Sequence, residues 1–436
     1  MEAGSQPSGR AYLRLVLLGA LVGIPAALVA ALFLALVHEL ESWLWDDPSP
    51  AWYVILGLPV VGAAVVAAAR TWLPGDGGHR PLDGLSTDPM PVSYAPGIAL
   101  AAIGTLAFGA VLGPEAPVIA LGAITALAVT RFARLGAQET HVLGLAGSIS
   151  AISALFGGPI VAGVMMLEAG VALGARLIPA LLPGFTAAAV GYLIFTGFGD
   201  WGGLDAPGLA VPNLTPYDGP YVGDLAVAIA VGIVTALAIL AIDRPTRVLA
   251  ARVEKRRTMP VLLLIGGLLV GLLALLADAL GAQANEILFS GQSAIPELIR
   301  ESTTGVVLLI LVAKAAAYSV SLASGFRGGP IFPAVFLGVG IATLPVVWFD
   351  ISPTLAIAVG AAAGMAAQTR FVLTSILFGA LLVGNAGHDA VPAAVLATVA
   401  AWITRSALDP LPRPGSEASA APPSGPFATS RNPATR

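Results

Sequence analysis

The sequence predicts an all-α, polytopic membrane protein of two inverted-topology repeats, and three observations lead there. Of 436 residues, 57% are hydrophobic and only 11% are charged, with a mean hydropathy of +0.88. A water-soluble domain carries about 25% charged residues to cover its surface. Apolar segments of spanning or near-spanning length recur along the chain. One ten-residue template, Gly-Pro-x-x-Pro-x-x-x-Leu-Gly, is written twice, at 113–122 and 329–338, about half the chain apart.

The apolar segments fall at 15–38, 52–70, 95–112, 117–131, 142–174, 178–197, 222–242, 260–283, 305–323, 331–348, 354–367 and 371–405. A helix needs roughly 20 apolar residues to cross hydrocarbon. Several segments are shorter than that and others exceed one crossing, so helices of uneven length are expected. The first stretch is longer than a secretory core and lacks a small-residue cleavage site, which predicts a retained helix. Arg10 and Arg14 precede it, and Arg244, Arg247, Arg252, Lys255, Arg256 and Arg257 cluster in 243–258. That cluster reads as a basic loop joining the two halves, and the positive-inside rule puts both basic regions in the cytoplasm. The expected organisation is an N-terminal cytoplasmic segment (1–11), a first membrane repeat (12–216), a second (217–408) and a tail (409–436) whose Pro, Ser and Ala content predicts disorder.

Several function classes are excluded at this stage. Cysteine is absent, so there is no disulfide or thiol chemistry. A formal charge of −4 and a pI near 5.6 argue against nucleic acid as a partner. No HExxH, acidic-pair metal motif or paired nucleophile and base occurs, so neither an intramembrane enzyme nor a metal or other cofactor is expected. The serines of GSISAISAL (147–155) read as helix-packing positions. Glu286, Asp278 and Glu301 flank spans and read as surface residues, whereas Lys314, inside a span, reads as paired with a helix carboxyl end.

The template has a direct physical reading. Proline at the start of a helix costs little, because the N–H it lacks would be unpaired anyway. The glycine before it lets backbone or ligand come close. The amides that follow point out of the helix N-terminus, where the dipole places partial positive charge, and such an end attracts an anion without a cationic side chain. Weak, multi-site binding suits conduction, since a lysine would hold the ion. Two such starts facing each other from inverted halves make one anion site near the midplane. Gly113 and Ala116 belong to the first start, and Gly329 to the second. Glu115 lies in only one of them. A carboxylate there is an anion already occupying an anion site, and it can leave when protonated.

These residues resemble the CLC family of chloride channels and proton/chloride antiporters. GPEAP (113–117) resembles that family's G-K/R-E-G-P segment and places the gating glutamate at Glu115. GGPIFP (328–333) resembles G-x-F-x-P, whose amides hold chloride. GGHRP (77–81) stands where the family shows G-S-G-I-P, and LFGGPIVAGVMMLEAG (155–170) follows F-N-A-P-L-A-G with its acidic pair. Order and spacing agree over roughly 12–405. The resemblance implies about 17–18 helices of uneven length, cytoplasmic termini in the plasma membrane, and a homodimer with one anion pathway per subunit.

The departures shape the expected mechanism. Gly78 replaces the family's ion-contacting serine, with His79 beside it as a possible anion donor or proton site. Pro330 removes one amide, which leaves Ile331 and Phe332 as the donors of the second start. Pro114 removes another amide and a basic residue. The acidic pair is reduced to Glu168 followed by Ala169, so only Glu168 remains as a candidate for a proton path. No tyrosine follows Tyr318, so the phenol that closes the inner end in many relatives is missing. The expected function is movement of a small monovalent anion, chloride first, gated by Glu115. It would run as a channel or uniporter or as a proton-linked exchanger, and protons are the expected second partner. The alternative is an inverted-repeat secondary transporter for fluoride, nitrate or an organic anion.

Overall fold

A computed structural model describes residues 9–47, 49–83, 90–131, 135–170, 177–199, 201–204, 209–254 and 258–409. Residues 1–8 of the expected N-terminal segment and 410–436 of the expected tail lie outside the described residues. Among the described residues sixteen α-helices carry the fold, together with short 3-10 turns.

The first seven helices are α1 (Gly9–Leu44), α2 (Trp52–Trp72), α3 (Ala95–Leu106), α4 (Glu115–Thr130), α5 (Ala137–Leu155), α6 (Pro159–Ala169) and α7 (Leu177–Thr196). The remaining nine are α8 (Val222–Glu254), α9 (Met259–Ala279), the single turns α10 (Ala284–Ile287) and α11 (Ile295–Leu298), α12 (Thr304–Ser324), α13 (Ile331–Phe349), α14 (Pro353–Thr369), α15 (Leu373–Val383) and α16 (Val391–Leu408). Among the described residues seven helical stretches are long and apolar enough to cross a membrane. Their outward faces carry bare leucines, as at Leu17, Leu32 and Leu276, which suits a surface bathed in lipid.

The packing repeats itself. In the first set α1 packs on α5 and α7, and α4 on α5; in the second α8 packs on α14 and α16, and α13 on α14. The pair α2 and α9, equivalent members of the two sets, joins the halves. At the centre, Gly113 and Gly329 form an antiparallel bridge. Each donates its N–H to the other's carbonyl, at 2.8 and 2.6 Å. Val111 N–H donates to Ser321 Oγ (3.0 Å) and Arg327 N–H to Thr105 Oγ1 (3.2 Å). Gly113 matches Gly329, Val111 matches Arg327 and Thr105 matches Ser321 at the offset of 216 residues that also separates Glu115 from Ile331, so the second of these bonds is the first with the repeats exchanged. Reciprocal bonds between equivalent residues are what a twofold relation between the halves generates. Here the inverted repeat is seen as chemistry.

Polar groups inside the bundle are accounted for mainly by local partners. Ser148 donates to Ile119 O of α4 and Ser150 to Gly23 O of α1, which ties α5 to its neighbours, while Ser153 donates within α5 to Ser150 O. Lys314 is buried; its Nζ donates to the carbonyls of Leu288 (2.7 Å) and Phe289 (3.1 Å), just past α10, and lies 4.7 Å from the Phe336 ring centroid.

Two sequence expectations are corrected. The 243–258 region is not a loop through most of its length, because α8 continues to Glu254. Ile242, Asp243 and Thr246 turn inward while Arg244 and Arg247 face out, a one-turn periodicity that keeps the helix packed. Asp243 ion-pairs there with Arg405 of α16, both side chains buried. Residues 255–257 lie outside the described set. Glu286 is buried rather than a surface residue, because its Oε2 accepts the Gln283 N–H (2.9 Å) at the start of α10.

Candidate anion site at the paired helix starts

The antiparallel glycine bridge brings the N-termini of α4 and α13 to one point. Glu115, the first residue of α4, is fully buried. Its Oε1 accepts the Ile331 N–H at 2.5 Å, and the Phe332 amide is the next one in the same helix start. Glu115 Oε2 meets no donor among the described residues. A carboxylate from one repeat therefore sits on the free amides of the other repeat's helix start, where the helix dipole favours negative charge. Close approach makes this possible. A Cβ on Gly329 would collide with Glu115 Cδ and Oε1, and one on Gly113 with Oε2.

Of the residues expected at the site, the structure gathers Glu115, Gly113, Gly329, Ile331 and Phe332 at this point. The amides of Gly113 and Gly329 are engaged with each other, so neither is a donor for an ion. They act as the clasp, and Ile331 and Phe332 supply the N–H groups. Gly78, His79 and Ala116 line a narrow cavity alongside, together with Ile98, Ala102, Arg327 and Gly328. Glu168 is held elsewhere. Its carboxylate accepts N–H bonds from Val372 (2.7 Å), Leu373 (2.8 Å) and Thr374 (2.9 Å), and the Thr374 hydroxyl at 2.6 Å. That is an N-terminal cap on α15, and all four bonds would weaken if the carboxylate took up a proton.

Sequence reasoning missed other neighbours. Tyr318 of α12 is fully buried, and its hydroxyl donates to Pro330 O at 3.0 Å, one residue from the amide that binds Glu115. Phe332 stacks on Phe156 (centroids 5.9 Å) and meets Phe378 edge-on (6.0 Å), so α13, α15 and the residue that ends α5 wall the site with aromatic rings. Arg70, Asp76 and Arg327 form an ion cluster beyond the narrow cavity. Burial alone would raise the Asp76 carboxyl, but the Arg70 and Arg327 guanidiniums more than offset this and hold it below the usual carboxylate range. Asp76 thus stays ionised at neutral pH. The stability it contributes is present above the ordinary carboxylate range and fades as pH falls through its lowered value. The one signal in the sequence was Arg327 itself, a charge between two apolar runs where the equivalent position carries Val111.

Comparison with known proteins places this geometry. The sequence-family model described as voltage gated chloride channel matches residues 78–405. A relative carrying the name ion-transport protein YfeO, from Escherichia coli O139:H28, is 30% identical over 361 residues, covering 77% of this chain and 79% of that protein. The same-named protein of Escherichia fergusonii shows the same identity and coverage. In structure, the chain is similar to a slow cyanobacterial Cl−/H+ antiporter, with a TM-score of 0.74, 16% identity, and 94% of this chain and 96% of the other covered. It is also similar to a CLC-type fluoride/proton antiporter, with a TM-score of 0.69, 21% identity, and 92% and 97% covered. The two structural matches speak for the fold. With the family match spanning most of the membrane region and the paired helix starts in the arrangement described, the chain belongs to the voltage gated chloride channel, or CLC, family of ion-transport proteins.

Proposed function

We propose that this protein moves a small monovalent anion, chloride first, along a pathway in which the Glu115 carboxylate and the anion take turns on the amides of Ile331 and Phe332. The observation that carries this reading is the bond from Ile331 N–H to Glu115 Oε1. An anion inside the bilayer loses most of its hydration, and preorganised amides replace it at little reorganisation cost. Protonation removes the negative charge that makes Glu115 a good guest on those amides, so acid opens the site.

Two features favour passive movement over strict proton exchange. Glu168 is committed to capping α15, and Ala169 follows it where a second carboxylate would relay protons. Fluoride is the second candidate substrate, because one structural neighbour is named a fluoride/proton antiporter. The arginines at the start of α1 and the end of α8 favour cytoplasmic termini in the plasma membrane, and the protein is read as a homodimer.

The test is ion flux from vesicles reconstituted with purified protein, using chloride, fluoride and nitrate, followed by reversal potentials under a pH gradient. The expected result is chloride movement whose reversal potential stays at the chloride value whatever the pH gradient. A reversal potential that follows pH would establish exchange instead, and the absence of flux for every anion would remove the proposal.

A further inference from the structure

Three hydroxyl side chains follow closely on α12, and they find their partners differently. Ser319 donates to Ala315 O (2.8 Å) and Ser321 to Ala317 O (2.9 Å), both within their own helix. Tyr318 is fully withdrawn from solvent, and a buried phenol needs a hydrogen-bond partner. It reaches across to another helix. Its hydroxyl donates to Pro330 O at 3.0 Å, at the N-terminal cap of α13.

That carbonyl is one end of a peptide group whose other end is the Ile331 N–H, the donor to Glu115 Oε1. Resonance couples the two ends: charge drawn toward the oxygen leaves the nitrogen more positive and its proton a better donor. Hydrogen bonds in such a chain strengthen one another by about 10–30% per bond. Here the chain runs from phenol to carbonyl and from amide to carboxylate. Tyr318, Pro330, Ile331 and Glu115 are all buried, so water does not screen it.

The repeats differ at this point. Ala102 stands 216 residues before Tyr318, the offset of the template, and has no hydroxyl to offer. The equivalent carbonyl, Pro114 O, accepts the Val118 N–H of its own helix (3.1 Å). The Glu115 carboxylate rests on the start that has the phenol behind it. Glu115 of α4, Asp243 and Arg247 of α8 and Arg405 of α16 act electrostatically on that phenol. Lys314, one turn earlier on α12, is bonded to the Leu288 and Phe289 carbonyls, and His79 and Arg327 line the narrow cavity beside Ala116. Residues 15–37 of α1, residues 142–155 of α5, and α3, α13, α14 and α15 carry no ionisable side chain. Exchanging tyrosine for phenylalanine leaves every one of these charges in place.

We infer that Tyr318 sets how strongly the α13 start holds its guest, carboxylate or anion, by donating its hydroxyl to the far end of the Ile331 peptide. This rests on the reading that Glu115 and a small anion alternate on that amide. Tyr318 is a positioning residue that acts through the amide, so the hold on both guests weakens when the hydroxyl is removed. A tyrosine that only filled space between α12 and α13 would need its ring and not its oxygen.

The experiment measures chloride flux from vesicles holding full-length wild type, Tyr318→Phe, Glu115→Gln or the double variant, across pH and chloride concentration. Phenylalanine keeps the ring and removes the donor. A weaker hold on the carboxylate lets a proton claim it at lower acidity, so the pH of half-maximal flux should rise by about 0.3. In the Glu115→Gln background no carboxylate competes, and there Tyr318→Phe should raise half-saturating chloride about twofold at every pH. Tyrosine 318 replaced by 3-fluorotyrosine, a stronger donor of nearly the same shape, should move the half-maximal pH downward. That replacement carries the test if Tyr318→Phe does not fold. If Glu115→Gln flattens the pH profile but neither change at 318 moves half-maximal pH or half-saturation, the role of the phenol is overturned and the Glu115 reading stands. A pH profile unaltered in Glu115→Gln, or no flux from any of the proteins, overturns the Glu115 reading and the role of the phenol with it.

Discussion

Replacing Glu115 with glutamine is expected to free chloride movement from pH control and to raise flux at neutral pH roughly ten- to a hundredfold. The scale follows from the bond that is weakened, since a hydrogen bond to a charged group contributes about 1.5–3 kcal/mol. Each 1.4 kcal/mol or so is a factor of about ten in occupancy. In the wild-type protein the carboxylate holds the Ile331 amide at 2.5 Å and excludes the permeant ion. Flux should therefore rise as pH falls. Glutamine is neutral at every pH, competes poorly for the amides, and leaves a flat profile. Efflux from vesicles at acidic and neutral pH reads both effects at once. A pH response that survived the substitution unchanged would assign the titrating group elsewhere.

The second large effect is expected from a single methyl group. Gly329→Ala places a Cβ against the Cδ and Oε1 atoms of Glu115, with no room for either. The carboxylate must leave the α13 amides or the glycine bridge must open. The first response produces flux at neutral pH that approaches Glu115→Gln, although the glutamate is still present, together with a shallower pH profile. The two routes converge, so adding Gly329→Ala to Glu115→Ala should change flux by less than about twofold, a strong departure from additivity. Overpacking of this kind costs roughly 1–3 kcal/mol, so monodispersity of the purified variant is checked first. A folded Gly329→Ala protein with the wild-type profile would show that Glu115 does not rest where the structure puts it.

The legible part of this protein was the part written in local spacing. The doubled template foretold two equivalent helix starts, and the structure joins them at Gly113 and Gly329, with α4 and α13 each beginning two residues later. Local pattern could not say how the backbone groups would be divided. The two glycine amides satisfy each other across the halves, which depends on the symmetry of the assembled bundle and on no neighbour in sequence. Glu168 was legible as an acid in an apolar helix, but its role as a cap on α15 depends on Val372, Leu373 and Thr374, some two hundred positions away. Tyr318 and Phe378 were invisible for the same reason, since an aromatic residue in an apolar run gives no sign of what it will face. The basic stretch after residue 243 reads as a loop in the sequence because charge interrupts hydropathy. Its one-turn alternation of buried and exposed positions keeps it in α8.

Everything functional here depends on the α13 amides receiving an anion once the carboxylate stands aside. Crystals of Glu115→Gln protein grown in bromide test that most directly. The expected result is anomalous density within hydrogen-bonding distance of the Ile331 and Phe332 nitrogens, beside the Gly113–Gly329 bridge. Bromide bound elsewhere in the chain, with no density at those two amides, would contradict it.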